Sequence, residues 1–131
     1  MTPALAKAFT DLLKAAPTVT ALCGTRLYPD VAPDRVAVPY IVYSELSSQT
    51  EESHDDANGL DGTEIQFACY AHDTLTAITL RQAVRNVIVA PGALPGIPVT
   101  QPQTRTFTAD EQALAAAILE VTFMHRPTQT L

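Results

Sequence analysis

Thr63-Glu64-Ile65-Gln66-Phe67-Ala68-Cys69-Tyr70-Ala71 is the stretch on which the fold turns. Thr63, Ile65, Phe67, Cys69 and Ala71 alternate with Glu64, Gln66, Ala68 and Tyr70, the period-two pattern of a strand with one buried face. The period changes directly after it. Asp73 is placed to cap a helix running to about Val89, on which Ala77, Leu80, Ala83, Val84, Val87 and Ile88 form one apolar stripe before Pro91-Gly92 ends it. Leu75 and Ile78 fall outside that stripe at 100° per residue, so each is either a subunit contact or part of a broader core face. Arg81 and Arg85 are one turn apart on the same helix and read as a solvated flank or an intersubunit ion pair.

Upstream, Tyr40-Ile41-Val42-Tyr43-Ser44-Glu45-Leu46 is rich in β-branched and aromatic residues and predicts a second strand. Thr2-Pro3 opens a helix to about Ala15, with Leu5, Ala8, Phe9, Leu12 and Leu13 on one face and Pro17 as its stop. Thr18 to Asp30 reads as a short apolar turn, Gly24 as a breaker, and a brief extended segment at Arg26-Leu27-Tyr28-Pro29. Downstream, Val99 to Phe107 can supply a short edge strand, and Leu114 to Arg126 reads as a long strand with an alanine-rich start. The expected order is helix, strand, strand, helix, strand, strand: a single α+β domain with two helices packed on a mixed, mainly antiparallel β-sheet.

Two connections are long, at about 47–62 and 91–104. The first is polar and acidic, carrying Glu51, Glu52, His54, Asp55, Asp56 and Asp61 with Asn58-Gly59 and Asp61-Gly62 as turn dipeptides, and it is expected to be exposed and mobile. The second holds Pro95, Pro98 and Pro102. Loops of this length in a small domain are commonly functional.

At 131 residues the chain fits one domain, and 47% hydrophobic with 17% charged residues marks a globular protein. Eight Lys and Arg against fourteen Asp and Glu leave a formal charge of −6, the wrong balance for holding phosphates. Specific DNA binding is not expected; an acidic surface instead repels passing DNA. No apolar run reaches the ~18–20 residues that span a bilayer, and no basic leader precedes one, so no membrane role is expected.

Chemistry-bearing motifs are missing. Gly-x-Ser-x-Gly, Ser-x-x-Lys, a Walker glycine-lysine loop and Gly-x-Gly-x-x-Gly do not occur, and His54, His72 and His125 are scattered. Cys23 and Cys69 form no metal or disulfide framework and are expected to be small buried side chains. His54-Asp55-Asp56 is the one cluster able to attract a hard cation, against a plain solvated charge run. No enzyme activity, cofactor or metal is expected.

Four segments taken together resemble a family: Arg26-Leu27-Tyr28-Pro29; Pro39-Tyr40-Ile41-Val42-Tyr43; Asp61-Gly62 ahead of Gln66-Phe67-Ala68-Cys69-Tyr70-Ala71; and Leu80-Arg81-x-x-Val84-Arg85. Their order and spacing are similar to the small tail-completion or tail-terminator proteins of long-tailed phages and gene transfer agents. The resemblance implies a homo-oligomeric ring, a hexamer, that caps the tail tube, ends its polymerisation and docks the head-completion (stopper) protein. It places the protein in the virion neck, after assembly in the host cytoplasm, with DNA passing through. Two other readings stand beside it: a different neck or head-completion adaptor, and a small-molecule- or metal-binding α+β domain.

Overall fold

A computed structural model describes residues 3–50, 61–90, 97–109 and 112–125, and side chains over 6–46, 63–90 and 114–123. Among the described residues three helices and five strands follow one another: α1 (Pro3–Lys14), α2 (Pro17–Cys23), β1 (Leu27–Pro29), β2 (Tyr40–Thr50), β3 (Asp61–Ala71), α3 (Thr74–Ile88), β4 (Ile97–Ala109) and β5 (Gln112–His125). The strands lie side by side as β1-β2-β3-β5-β4 in one sheet. β1 runs parallel to β2, and every other neighbour is antiparallel. The fold is thus α+β on a mixed, mainly antiparallel sheet.

Each element follows from its residues. Pro17 stops α1, yet it also starts α2: its ring holds Ala16 extended at φ −93° and ψ 109°, and a proline suits the first helical position because no N–H is needed there. Val19 and Cys23, one turn apart, are both fully buried, which makes this segment a helix where the sequence reading has an apolar turn. Gly24 then closes α2 at φ +61°, a conformation that side chains resist, while its N–H donates to the Thr20 carbonyl at 2.8 Å.

The core lies between the helices and one face of the sheet. Ile41 and Tyr43 of β2, Ile65, Phe67 and Cys69 of β3, and Ala117, Leu119, Val121 and Phe123 of β5 all point into it. Phe9 of α1 sits at the centre with ring centroids 5.3 Å from Phe67, 5.5 Å from Phe123 and 6.1 Å from Tyr43. The Tyr43 hydroxyl, carried into this apolar site, is satisfied by Thr10 Oγ1 and by the Ala6 carbonyl. On α3, Ala77, Leu80, Val84 and Ile88 of the stripe read from the sequence are buried, while its other two members, Ala83 and Val87, are partly buried against the core.

β5 is buried at every position from Leu114 to Leu119, because Ala116 and Ile118 form a second small cluster with Ala68 on the opposite face. That explains why alternation is weak at its alanine-rich start.

Strand boundaries differ from the sequence reading. β2 continues through Ser47–Thr50 and pairs with Asp61–Glu64 past a register shift between Glu45 and Ser47, so strand pairing takes up both ends of the stretch read as an acidic loop. Residues 51–60 lie outside the described residues. β4 extends from Ile97 to Ala109, two residues longer at each end than expected, and takes in part of the proline-rich segment.

Candidate interaction surfaces

Asp73 fixes where α3 begins. Its carboxylate accepts from the Thr76 N–H at 3.0 Å and from the Thr76 hydroxyl at 2.6 Å, and these bonds hold its pKa below the ordinary carboxylate value. One turn of helix from this cap sets the outward residues. Leu75 is 73% exposed, a large apolar side chain with no cover among the described residues. Its carbonyl accepts from the Thr79 hydroxyl at 2.8 Å, and Gln82 donates to Asn86 at 3.0 Å further along the outer face.

Ile78 is half-buried and packs against the core, whereas Leu75 projects outward. Arg81 and Arg85 are both half-buried, and the positive charge of Arg81 acts on the buried Cys69 thiol. The helix flank carrying these arginines therefore borders the core.

Cys23 and Cys69 are free and buried, as their small apolar character implies. Burial pushes the Cys69 thiol far up, and the neighbouring Cys23 adds to it while Arg81 opposes; burial also raises Cys23 against the pull of Arg26. Burial and a raised pKa both work against thiolate reactivity at these two positions.

Glu51, Glu52, Asp55 and Asp56 lie outside the described residues, as does His54. Asp61 opens β3, its backbone in register with Thr50 and His125. Among the described residues no three His, Cys, Asp or Glu side chains come together as a metal site, and no helix is long and apolar enough to cross a membrane.

The sheet face away from the helices carries an aromatic row missed in the sequence. Tyr40 stacks on Tyr70 with centroids 4.9 Å apart and 22° between planes, and Tyr28 meets Tyr40 edge-on at 6.3 Å. Burial, and then the neighbouring Tyr70, raise the Tyr40 pKa. Tyr70 occupies an outward position of the strand alternation, and Tyr28 and Tyr40 join it only because β1, β2 and β3 are adjacent.

The strap from Asp30 to Pro39 is tied at both ends. The Asp30 N–H donates to the Tyr43 carbonyl at 2.8 Å, and Arg26 Nε donates to the Pro39 carbonyl at 2.9 Å beside a cis Val38–Pro39 bond. Between them Asp30 and Arg35 have φ of 63° and 59°, a left-handed conformation uncommon for arginine, and Val31 is 77% exposed.

Residues 7–126 match the family model described as tail completion protein gp17. No curated protein sequence matches the chain. Among solved structures the fold is similar to a chain of the virion of a native gene transfer agent particle, with a TM-score of 0.67 and 19% identity over 93% of this chain and 94% of that one. It is also similar to the gp17 protein of bacteriophage SPP1, with a TM-score of 0.61 and 14% identity over 97% of this chain and 92% of that one. With all but the ends of the chain aligned to one family model, the protein belongs to the tail completion protein gp17 family.

Proposed function

We propose that the protein is a structural, non-catalytic virion component that forms a ring, a hexamer, on the end of the tail tube. The ring ends tube polymerisation and presents a docking face to the head-completion protein. The observation that carries this reading is the family match over residues 7–126, and the five-stranded α+β fold agrees with it.

Physical properties support the role. A head-to-tail contact between identical subunits closes into a ring when the rotation per subunit divides a full turn. Six copies at a net −6 each carry a net charge of −36, which keeps DNA in transit from adhering. On each subunit the exposed Leu75 is an apolar anchor for an intersubunit or partner contact, with Arg81 and Arg85 along its flank. The protein acts in the neck of the virion after assembly in the host cytoplasm, without a cofactor.

Deletion of the gene is the direct test. Tails of uncontrolled length, or tails unable to join heads, are expected; normal infectious particles refute the proposal. Co-purification separates it from an adaptor role, because a terminator retains tube protein whereas an adaptor retains portal-side proteins.

A further inference from the structure

The sheet ends in two different edges, and hydrogen-bond phase shows which backbone groups each one offers. Ile41 donates its N–H to the Arg26 carbonyl at 3.0 Å, and the Tyr43 carbonyl accepts from Asp30, so these β2 residues turn their backbone groups away from β3. Cys69 and Phe67 stand opposite them and must turn toward β5. Ala117 and Leu119 face back at those two, which leaves Ala116, Ile118, Glu120 and Thr122 to bond β4 through Arg105, Gln103, Gln101 and Val99. Even-numbered residues of β4 therefore point outward.

Pro98 and Pro102 confirm this phase independently. Neither has an N–H to give the ladder, and both occupy the outward set. They block the first half of the β4 edge against another strand. Thr104 and Thr106, in the second half, keep their outward N–H and C=O groups.

The other edge is open in a complementary place. β1 lies beside β2 only from Ile41 to Tyr43, and among the described residues no strand lies beside Ser47–Thr50. Past the register shift Ser47 and Gln49 stand opposite Glu64 and Gly62 and face β3, so Ser48 and Thr50 point outward. β2 and β4 run in opposite directions within the sheet, so copies in the same orientation bring the two open half-edges together as an antiparallel pair.

We propose that the second half of β4 in one copy adds to the outer edge of β2 at Ser48–Thr50 in the next, so that the sheet runs on from subunit to subunit. The contact is head-to-tail, as a ring needs, and it rests on the ring reading given above. The blocked half of β4 lies level with the open half of β2: Ser48 is in line with Thr63, Phe123 and Pro98. Adjacent copies are therefore displaced along the strands by roughly six to eight residues, about 20–26 Å at 3.3 Å per residue.

Two full-length variants test it, Thr104→Pro on the β4 edge and Ser48→Pro on the β2 edge, each removing one outward N–H. Native mass spectrometry, and electron microscopy on tubes of the cognate tube protein, read the assembly. The wild type is expected to form rings, and each variant alone to stay monomeric with its dissociation constant raised at least 10-fold. An equimolar mixture should stop at dimers, since each variant keeps the edge the other lacks. Rings from either variant, with its circular dichroism unchanged, overturn the edge contact and leave the ring reading standing. No wild-type ring, alone or on tubes, overturns both. Amide exchange on the wild type covers the case of a misfolded variant: Ser48, Thr50, Thr104 and Thr106 should exchange at least 10-fold more slowly in the ring, and unchanged rates there defeat the proposal.

Discussion

Replacing Phe9 by alanine should cost about 4 kcal/mol of folding stability without touching any exposed surface. Phe9 is fully buried and meets three other rings, Tyr43, Phe67 and Phe123, so it joins α1 to β2, β3 and β5 together. Moving a phenylalanine side chain out of water contributes about 1.5–3 kcal/mol. Its removal also leaves a cavity, and the three neighbouring rings cannot close it because Phe67 and Phe123 are held on adjacent strands. The combined loss for such truncations runs to about 3–5 kcal/mol. At about 3–4 °C per kcal/mol for a domain of this size, the midpoint should fall by roughly 12–16 °C. Urea unfolding followed by circular dichroism measures the change, with the denaturant slope checked to be constant. Phe9→Leu, which keeps most of the volume, should lose less than half as much. A Phe9→Ala loss below about 1 kcal/mol would refute the placement of this ring at the centre of the core.

Three further outcomes follow from the surfaces and caps. Leu75→Ala should change monomer stability by less than about 0.5 kcal/mol while weakening assembly, whereas Ile78→Ala should lower monomer stability by about 1–2 kcal/mol; equal effects in thermal melts would contradict their different burial. The folded-state pKa of Asp73 is depressed below 3.8, so its contribution is present above that value and disappears as pH falls through the lowered one. Asp73→Ala should accordingly destabilise α3 at pH 7 and match the wild type in strong acid, and a gap that persists at low pH would count against the cap. Cys69 and Cys23 should resist iodoacetamide in the native protein at pH 8 and react at least 100-fold faster in urea, since both thiols are buried and raised; rapid native labelling of Cys69 would show that β3 is not sealed by the helices.

The parts of the fold readable from the sequence are those governed by local rules. The β3 alternation, the Asp73 cap and the α3 stripe each depend on residues within one or two turns, and each is present as read. α2 escaped because seven residues give too few turns for a stripe, and Pro17 reads equally as an end and as a beginning. The outer rungs at Ser47–Thr50 and Asp61–Gly62 escaped because their pairing is carried by backbone groups, on which a polar composition leaves no mark. Leu75 and Ile78 looked alike on a helical wheel, and only the packing of α3 on the sheet separates them. The tyrosine row and the outward phase of β4 depend on which strands are neighbours, a property no single segment encodes.

Small residues determine how near α3 can come to its sheet. α3 rests on β3 and β5, and Ala71, Ala77, Ala115 and Ala117 belong to the same buried cluster. Bare methyl groups on strand and helix let the two backbones approach more closely than leucines would allow. Alanine at these positions therefore works as a spacer of fixed thickness. A valine at position 117 would lift the helix, and Leu75 would travel with it, so a substitution hidden deep inside the subunit can misplace a contact at its rim.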